Sequence, residues 1–430
     1  MPLNEYNLLL AHSKLYIPFR ELMNLTKSKT ICLAFEDISH HKNCLSDKNV
    51  YRDFLESYYQ IHPELFPDGF DQGFTFKGFI RAQKQKGFKM QRIRMKSNGD
   101  VYQIRPSFMM PYMTAFTDNV EKALYLMRFG VPFYALAYVF GKNAMYWYRI
   151  YISLGRASLV GSTIKSPEAL PEDLLADEKH SRLKSERVYL PTTVAKGCIL
   201  GVSVTKSAGT PALTEGYNDF KQEAHNVNPD YSPKSVNTDG WDATQKAWKW
   251  LFPQIILMAC FLHAWLKIKD RCKRAKELFP IVRKKVWEVY HAPSIASFSQ
   301  RIRRLKEWGE KSLSIEAAQQ KLMELCDKSD QFKIAYQMPN AYRTSANLDR
   351  LMNYQDRILY AMQYLHGSLS SAKLAVRAMA MIWNFHPYCS NLIAKEPDRH
   401  SPFKDVNGFL YHPNWLHNMS VAMSLGGVRC

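Results

Sequence analysis

Ser235-Val236-Asn237-Thr238-Asp239-Gly240-Trp241, running on to Phe252-Pro253 and then Cys260-Phe261-Leu262-His263, is the stretch that decides the fold. It reads as a strand that ends on an acidic residue, a helix over Ala243–Leu251, a buried strand over Gln254–Cys260, and a Cys-x-x-His pair. A carboxylate at the tip of a central strand is held rigidly, as a catalytic metal requires of its ligands. The plainer alternative for Asp239 is a helix cap.

Upstream, strands are predicted at Asp173–His180, Val188–Val194 and Cys198–Thr205. A helix over Leu213–Ala224 and the loop Asn228-Pro229-Asp230-Tyr231-Ser232-Pro233 follow. Three strands, then helix, strand, helix and strand, is the element order of a ribonuclease-H-like core, although a fold alone does not establish a function.

The 430 residues are 46% hydrophobic, enough for two or three domains. A net charge of +19 points to a polyanion partner, nucleic acid being the commonest, with ribosomal or membrane-surface proteins showing the same imbalance. Cys32, Cys44, Cys198, Cys260, Cys272, Cys326, Cys389 and Cys430 include no Cys-x-x-Cys. This argues against a zinc ribbon or a disulfide framework and fits reduced thiols. Met1–Phe19 lacks a basic leader with an apolar run, and Ile255–Trp265 is too short to span a bilayer. A soluble intracellular protein is expected, cytoplasmic and nucleoid-associated in a prokaryotic host.

The first zone, residues 1–157, holds a hairpin signal at 88–105. Lys89–Lys96 alternates Ile93 and Met95 against Arg92, Arg94 and Lys96, Asn98-Gly99 turns, and Val101–Arg105 returns. Such a basic ribbon can lie in a DNA groove, or it can be a solvated edge protected by charge. Residues 117–155 read as three helices, Thr117–Arg128, Pro132–Phe140 and Lys142–Leu154, with Gly141 at the turn of a helix-turn-helix. Lys142, Asn143, Tyr146 and Arg149 would face DNA. In the bland alternative the three helices simply pack, with Tyr134, Tyr138, Trp147 and Tyr148 as core. Ser158–Pro171 reads as a linker. Beyond Leu262 the chain is mostly helical and basic, through Lys267, Lys269, Arg271, Lys273 and Arg274, then Arg283–Lys285, then Arg301–Lys306. These runs are solvated helix faces that could also neutralise phosphates.

The order Asp239-Gly240, Pro253, Cys260 and His263 resembles the second catalytic segment of DDE/D insertion-sequence transposases of the Mutator-like and related groups. Leu174-Leu175-Ala176-Asp177-Glu178, followed by Val188–Val194, resembles their first catalytic strand and its partner. Thr344-Ser345-Ala346-Asn347-Leu348-Asp349-Arg350 resembles the segment carrying the third acid, with Asp349 where most relatives have Glu. The resemblance covers about residues 172 to 390.

It implies an α+β / α/β fold: a ribonuclease-H-like mixed-sheet core (172–265), an all-helical insertion (266–340), a C-terminal catalytic helix region (341–390) and a tail (391–430). A small mixed β-hairpin and helix-turn-helix DNA-binding region precedes them. Asp177, Asp239 and Asp349 would be catalytic and would hold Mg2+ or Mn2+ in a two-metal site. One metal would activate the attacking water or 3′-hydroxyl, and the other would stabilise the leaving oxygen. Asp173 and Glu178 compete for the first position, although alternation turns Glu178 to the other face. Glu310, Glu316 and Glu324 compete for the third. Cys260 and His263 are expected as a buried pair with a conformational role, and His180 and His225 as ordinary residues. The implied partners are double-stranded DNA (element terminal repeats and target) and a second copy of the chain in a synaptic complex. Rival readings are another ribonuclease-H-like endonuclease and an inactive DNA-binding regulator.

Overall fold

The computed structural model describes residues 28–81, 88–338 and 340–428, so Met1–Phe19 and Cys430 lie outside the described residues. The protein is mixed α and β, with two sheets.

The first sheet is built from β1 (Thr30–Leu33), β2 (Phe74–Arg81), β3 (Lys89–Met95) and β4 (Val101–Pro106) in the order β1-β4-β3-β2, with β1 parallel to β4. Helices α1 (Ile38–Ser46) and α2 (Lys48–Ile61) lie between β1 and β2. The β3–β4 hairpin turns where Asn98 Oδ1 accepts from Asp100 N–H and Gly99 adopts φ 74°, a conformation that favours glycine. Ile93 and Met95 point into the core, while Arg94 and Lys96 are exposed.

Three helices follow: α3 (Thr117–Met127), α4 (Phe133–Phe140) and α5 (Ala144–Leu154), with Gly141 at φ 70° between the last two. Ser158–Pro171 departs from the expected linker. It contains α6 (Leu159–Thr163), buried throughout and capped by Ser158. Its small residues serve close packing, since a Cβ on Gly161 would collide with the carbonyl oxygen of Gly427.

The second sheet has the order β7-β6-β5-β8-β9, from β5 (Asp173–Leu183), β6 (Glu186–Ala195), β7 (Cys198–Val202), β8 (Ser235–Thr238) and β9 (Ile256–Ala259). β5, β6 and β7 are antiparallel neighbours, and β8 runs parallel to both β5 and β9. Helix α7 (Thr210–Val227) crosses from β7 to β8, and α8 (Asp242–Leu251) from β8 to β9. Strand alternation divides the core in two. Leu174, Ala176, Leu200 and Val236 pack with Leu213, Tyr217, Phe220 and Trp248 of α7 and α8. The helix lies close because Gly201 and Gly216 carry no side chain where Phe220 Cβ and Pro191 Cγ approach.

On the opposite face, Leu175, Val188, Leu190 and Val194 pack with α14 (Ala346–Ala361) and α15 (Leu369–Phe385). That apolar core continues through the first sheet and α3–α5, so residues before 157 share a core with the second sheet. The expected tail is part of it too. After α16 (Ser390–Lys395) and α17 (Pro402–Asn407) comes α18 (Trp415–Ala422), every residue of which is buried. Trp415 donates to Glu121, and Ser424 Oγ accepts from Cys32 N–H. Between β9 and α14, helices α9 (Phe261–Cys272), α10 (Leu278–Tyr290), α11 (Ile295–Ser312), α12 (Glu316–Asp327) and α13 (Ser329–Gln337) enclose a further core around Trp265, Val286, Phe298 and Leu322.

Candidate metal centre

Asp177 sits mid-strand in β5, opposite Thr192 of β6. It faces α14, because it alternates with Leu174 and Ala176 and shares the side of Leu175. Glu178 turns to the other face, where Tyr217 Oη and Thr244 Oγ1 both donate to its Oε1 at 2.6 and 2.7 Å. Asp173 accepts from Ser235 Oγ at 2.6 Å.

β8 pairs with β5 through Asp173↔Ser235 and Leu175↔Asn237. Asp239, two residues beyond Asn237, lies near enough to Asp177 for its charge to raise the Asp177 carboxyl. Asp239 follows the last residue of β8, and its Oδ1 accepts from Trp241 N–H at 2.8 Å. Gly240 between them is at φ 84°. Helix α8 begins at Asp242 with Trp241 in the capping position, so Asp239 is not the cap.

The third carboxylate arrives on α14. Leu348, Leu351, Met352, Gln355 and Ile358 form its buried stripe, and Gln355 Nε2 donates to Thr192 Oγ1 at 3.3 Å. Asp349, half-buried in the first turn, is thereby brought to Asp177. Asp177, His263 and Asp349 form a group whose ligand atoms lie within 4.8 Å of one another. Asp239 stands outside this tight group, yet its charge acts on Asp177 more strongly than that of Asp349. Glu310, Glu316 and Glu324 lie on the helical insertion, where Glu324 pairs with Lys321 at 2.6 Å.

His263 comes closer to the acids than its expected role required. Its Nε2 is 3.9 Å from Asp177 Oδ2, and its Nδ1 is 3.2 Å from Ser345 Oγ. Ser345, buried just before α14, donates to Asp349 Oδ2 at 3.4 Å, and its Oγ also lies 3.2 Å from Cys260 Sγ. Cys260 Sγ in turn accepts from Ser345 N–H at 3.2 Å. Cys260, His263 and Ser345 thus tie the start of α14 to the β9–α9 junction. Phe261 N–H to Arg343 O and Asn237 Nδ2 to Tyr342 O reinforce the tie.

Burial, followed by Asp239, pushes the Asp177 carboxyl up to about 6 against the opposing pull of His263. Burial likewise raises Glu178 to about 7. The hydrogen bond with Cys260, then the charges of Cys260 and Asp177, hold His263 up at about 9 against burial. Burial alone would raise the Cys260 thiol, but hydrogen bonding and charge from His263, with Ser345, bring it below its ordinary value.

These donors fit a hard divalent cation. Carboxylates from separate elements converge in a partly buried place where their mutual repulsion is only partly offset, and a cation relieves that repulsion.

The residues expected to face DNA divide. Lys142 and Arg149 are exposed at α5, whereas Asn143 caps that helix by accepting from Tyr146 N–H at 2.8 Å. Tyr146 is half-buried beside Trp147. Arg94 and Lys96 are exposed on β3 and its turn, and Arg92 donates to Lys77 O. Trp147 is core, but Tyr134 and Tyr138 are not, being 73% and 91% exposed. His180 stacks edge-on with Tyr189, and His225 bonds Tyr231 O.

Ser345 lies within the Thr344–Arg350 stretch, where nothing local marks its bonds to Cys260, His263 and Asp349. No protein-family model matches the chain, and no curated protein matches it significantly.

Proposed function

We propose that this chain is a DDE/D-type DNA transposase with a ribonuclease-H-like core, which hydrolyses a strand at the ends of a mobile element and joins the freed 3′-hydroxyl to target DNA. The observation that carries the reading is the convergence of Asp177 and Asp349, from a central strand and a distant helix, with Asp239 at the end of the adjacent parallel strand. The strand order β7-β6-β5-β8-β9 supports it, since the first and fourth strands of this sheet are neighbours and each supplies an acid.

Asp177, Asp239 and Asp349 would hold Mg2+ or Mn2+. Bound there, such ions supply Lewis-acid stabilisation of a phosphoryl oxygen and activation of a water or hydroxyl nucleophile. Ser345 orients Asp349 and His263 by hydrogen bonds. His263, held toward its charged form, balances the carboxylates from the side of Asp177. The exposed basic residues of α5, the β3–β4 hairpin and α9–α11 would neutralise phosphates of double-stranded DNA, which makes binding steeply salt-dependent. Two ends are processed together, so a dimer or larger synaptic complex follows. Among the described residues no helix is long and apolar enough to cross a membrane.

The test is transposition in cells of a marked mini-element flanked by the terminal sequences of the source locus. Wild type is expected to insert it, and Asp177→Ala, Asp239→Ala and Asp349→Ala are each expected to abolish insertion. Cleavage at the ends without joining would replace this reading with an endonuclease. Unchanged insertion by Asp177→Ala would overturn the assignment of the site.

A further inference from the structure

The turn after β8 presents more than a carboxylate. Asp239 Oδ1 holds Trp241 N–H, so Asp239-Gly240-Trp241 is a fixed turn rather than a loose loop. The indole of Trp241, two residues from a site carboxylate, stands exposed at the start of α8. Two ammonium groups reach the same turn from different helices of the insertion. Lys267, on α9, donates from Nζ to Asp239 O at 3.4 Å. Lys328, between α12 and α13, places its Nζ 3.7 Å from where a Cβ on Gly240 would lie. Both lysines are exposed, and among the described residues neither has a carboxylate within ion-pair distance. Gly240 leaves the turn open just where the ammonium groups gather.

Two lysines without an ion-pair partner among the described residues and an exposed aromatic face stand together at the edge of the acidic group. They suit a chain of phosphates and bases. Every nucleotide of a DNA strand carries a negative charge, so a strand with one phosphate at the carboxylates brings a neighbouring phosphate to the turn that these ammonium groups reach. An aromatic face stacks any base, which suits a position beside a scissile bond where the base is unpaired.

We infer that Trp241, Lys267 and Lys328 form a single-stranded DNA subsite for the nucleotide next to the scissile phosphate, the lysines taking its phosphate and the indole its base. This deepens the reading of the acidic group as a DNA-processing centre and rests on it. The three are positioning residues: they hold the strand, and the acids act on it.

The experiment uses the full chain and a fluorescein-labelled oligothymidylate about 15 nucleotides long, followed by anisotropy over a range of monovalent salt at fixed Mg2+. Lys267→Gln with Lys328→Gln is expected to lower the slope of log K against log salt by about 0.7, the value for one neutralised phosphate on a single strand. Trp241→Ala is expected to weaken binding at least about fivefold at every salt concentration, as loss of one stacked base does, with Trp241→Phe restoring most of it. The exposed Trp250, at the far end of α8, is the control, and Trp250→Ala should bind as wild type.

Failure of wild type to bind, an unchanged slope in the double lysine variant, or Trp241→Ala binding as wild type would each overturn the subsite. Binding needs no turnover, so the two proposals fail separately. These shifts without strand transfer would sink the transposase reading and keep the subsite. Strand transfer with unshifted binding in the variants would do the reverse.

Discussion

Replacing Asp177 by Asn should stabilise the metal-free protein while abolishing the proposed strand transfer. The carboxyl is raised from its ordinary 3.8 to about 6 by burial and by Asp239, and its side chain is 19% exposed. A raised acid contributes nothing below pH 3.8, where folded and unfolded chains are both protonated. As pH climbs from there to about 6, the unfolded chain ionises first, and the fold loses about 3 kcal/mol, or about 2 after allowance for remaining solvent. Asparagine keeps the hydrogen bond that Asp177 Oδ1 accepts from Glu178 N–H at 2.7 Å and removes only the charge. Urea unfolding in EDTA should therefore show Asp177→Asn more stable than wild type by about 2 kcal/mol at pH 7, the gap closing as pH falls to 4. Excess Mn2+ should stabilise wild type more than the variant. A variant less stable than wild type at pH 7, or a gap independent of pH, would refute the account of a carboxyl raised by burial and by Asp239.

Three further outcomes bear on the scaffold. Ser345→Ala cuts the tie between Cys260, His263 and Asp349, and should weaken Mn2+ binding by about 10- to 100-fold while the fold persists. Affinity unchanged in a titration followed by electron paramagnetic resonance would mean that Ser345 orients nothing. Arg377 of α15 is buried, donates to Gly155 O and Ala157 O at 2.9 and 2.8 Å, and pairs with Glu223 of α7. Arg377→Met removes the countercharge of that carboxylate, which keeps its bonds from Ser158 Oγ and Val160 N–H, and should cost about 3 kcal/mol in urea unfolding, and a loss under about 1 kcal/mol would count against the pair. Gly161→Ala should destabilise by roughly 2 kcal/mol or more through the collision with Gly427 O, and thermal melting equal to wild type would show that α6 has room to shift.

Much of the second sheet was legible because strand alternation and turn chemistry are local. Asp173, Val188, Cys198 and Ser235 each stand within two residues of the start of an observed strand. Gly141 and Asn98-Gly99 marked turns whose backbone the structure shows at positive φ. Asp177 and Asp239 were readable as acids on strands for the same reason; alternation sets Asp177 and Glu178 on opposite faces, and the resemblance pointed to Asp177. The expected linker at Ser158–Pro171 holds a buried helix instead, because composition cannot distinguish small residues in a flexible segment from small residues at a close contact, and nothing local in 391–430 announces its burial. Gly161 is small because Gly427 is against it, and Trp415 and His417 are held by Glu121 and Asp118 from the other end of the chain. Tyr134 and Tyr138 illustrate the converse, aromatic residues whose hydrophobicity suggested core but whose helix face nothing covers among the described residues.

By itself, then, the sequence determined the order of strands and helices and the acids that strands carry, since those follow from repeats of two or 3.6 residues and from turn residues read a few positions at a time. The resemblance offered Asp349 with three glutamates as competitors, each an acceptable helix acid, and packing brings Asp349 to Asp177 while the glutamates lie on the helical insertion. Tertiary structure also brought His263 and Ser345 to the carboxylates and aimed Lys267 and Lys328 at the Gly240 turn. Those choices are made by packing between segments far apart in the chain, where no local pattern records which neighbour will arrive.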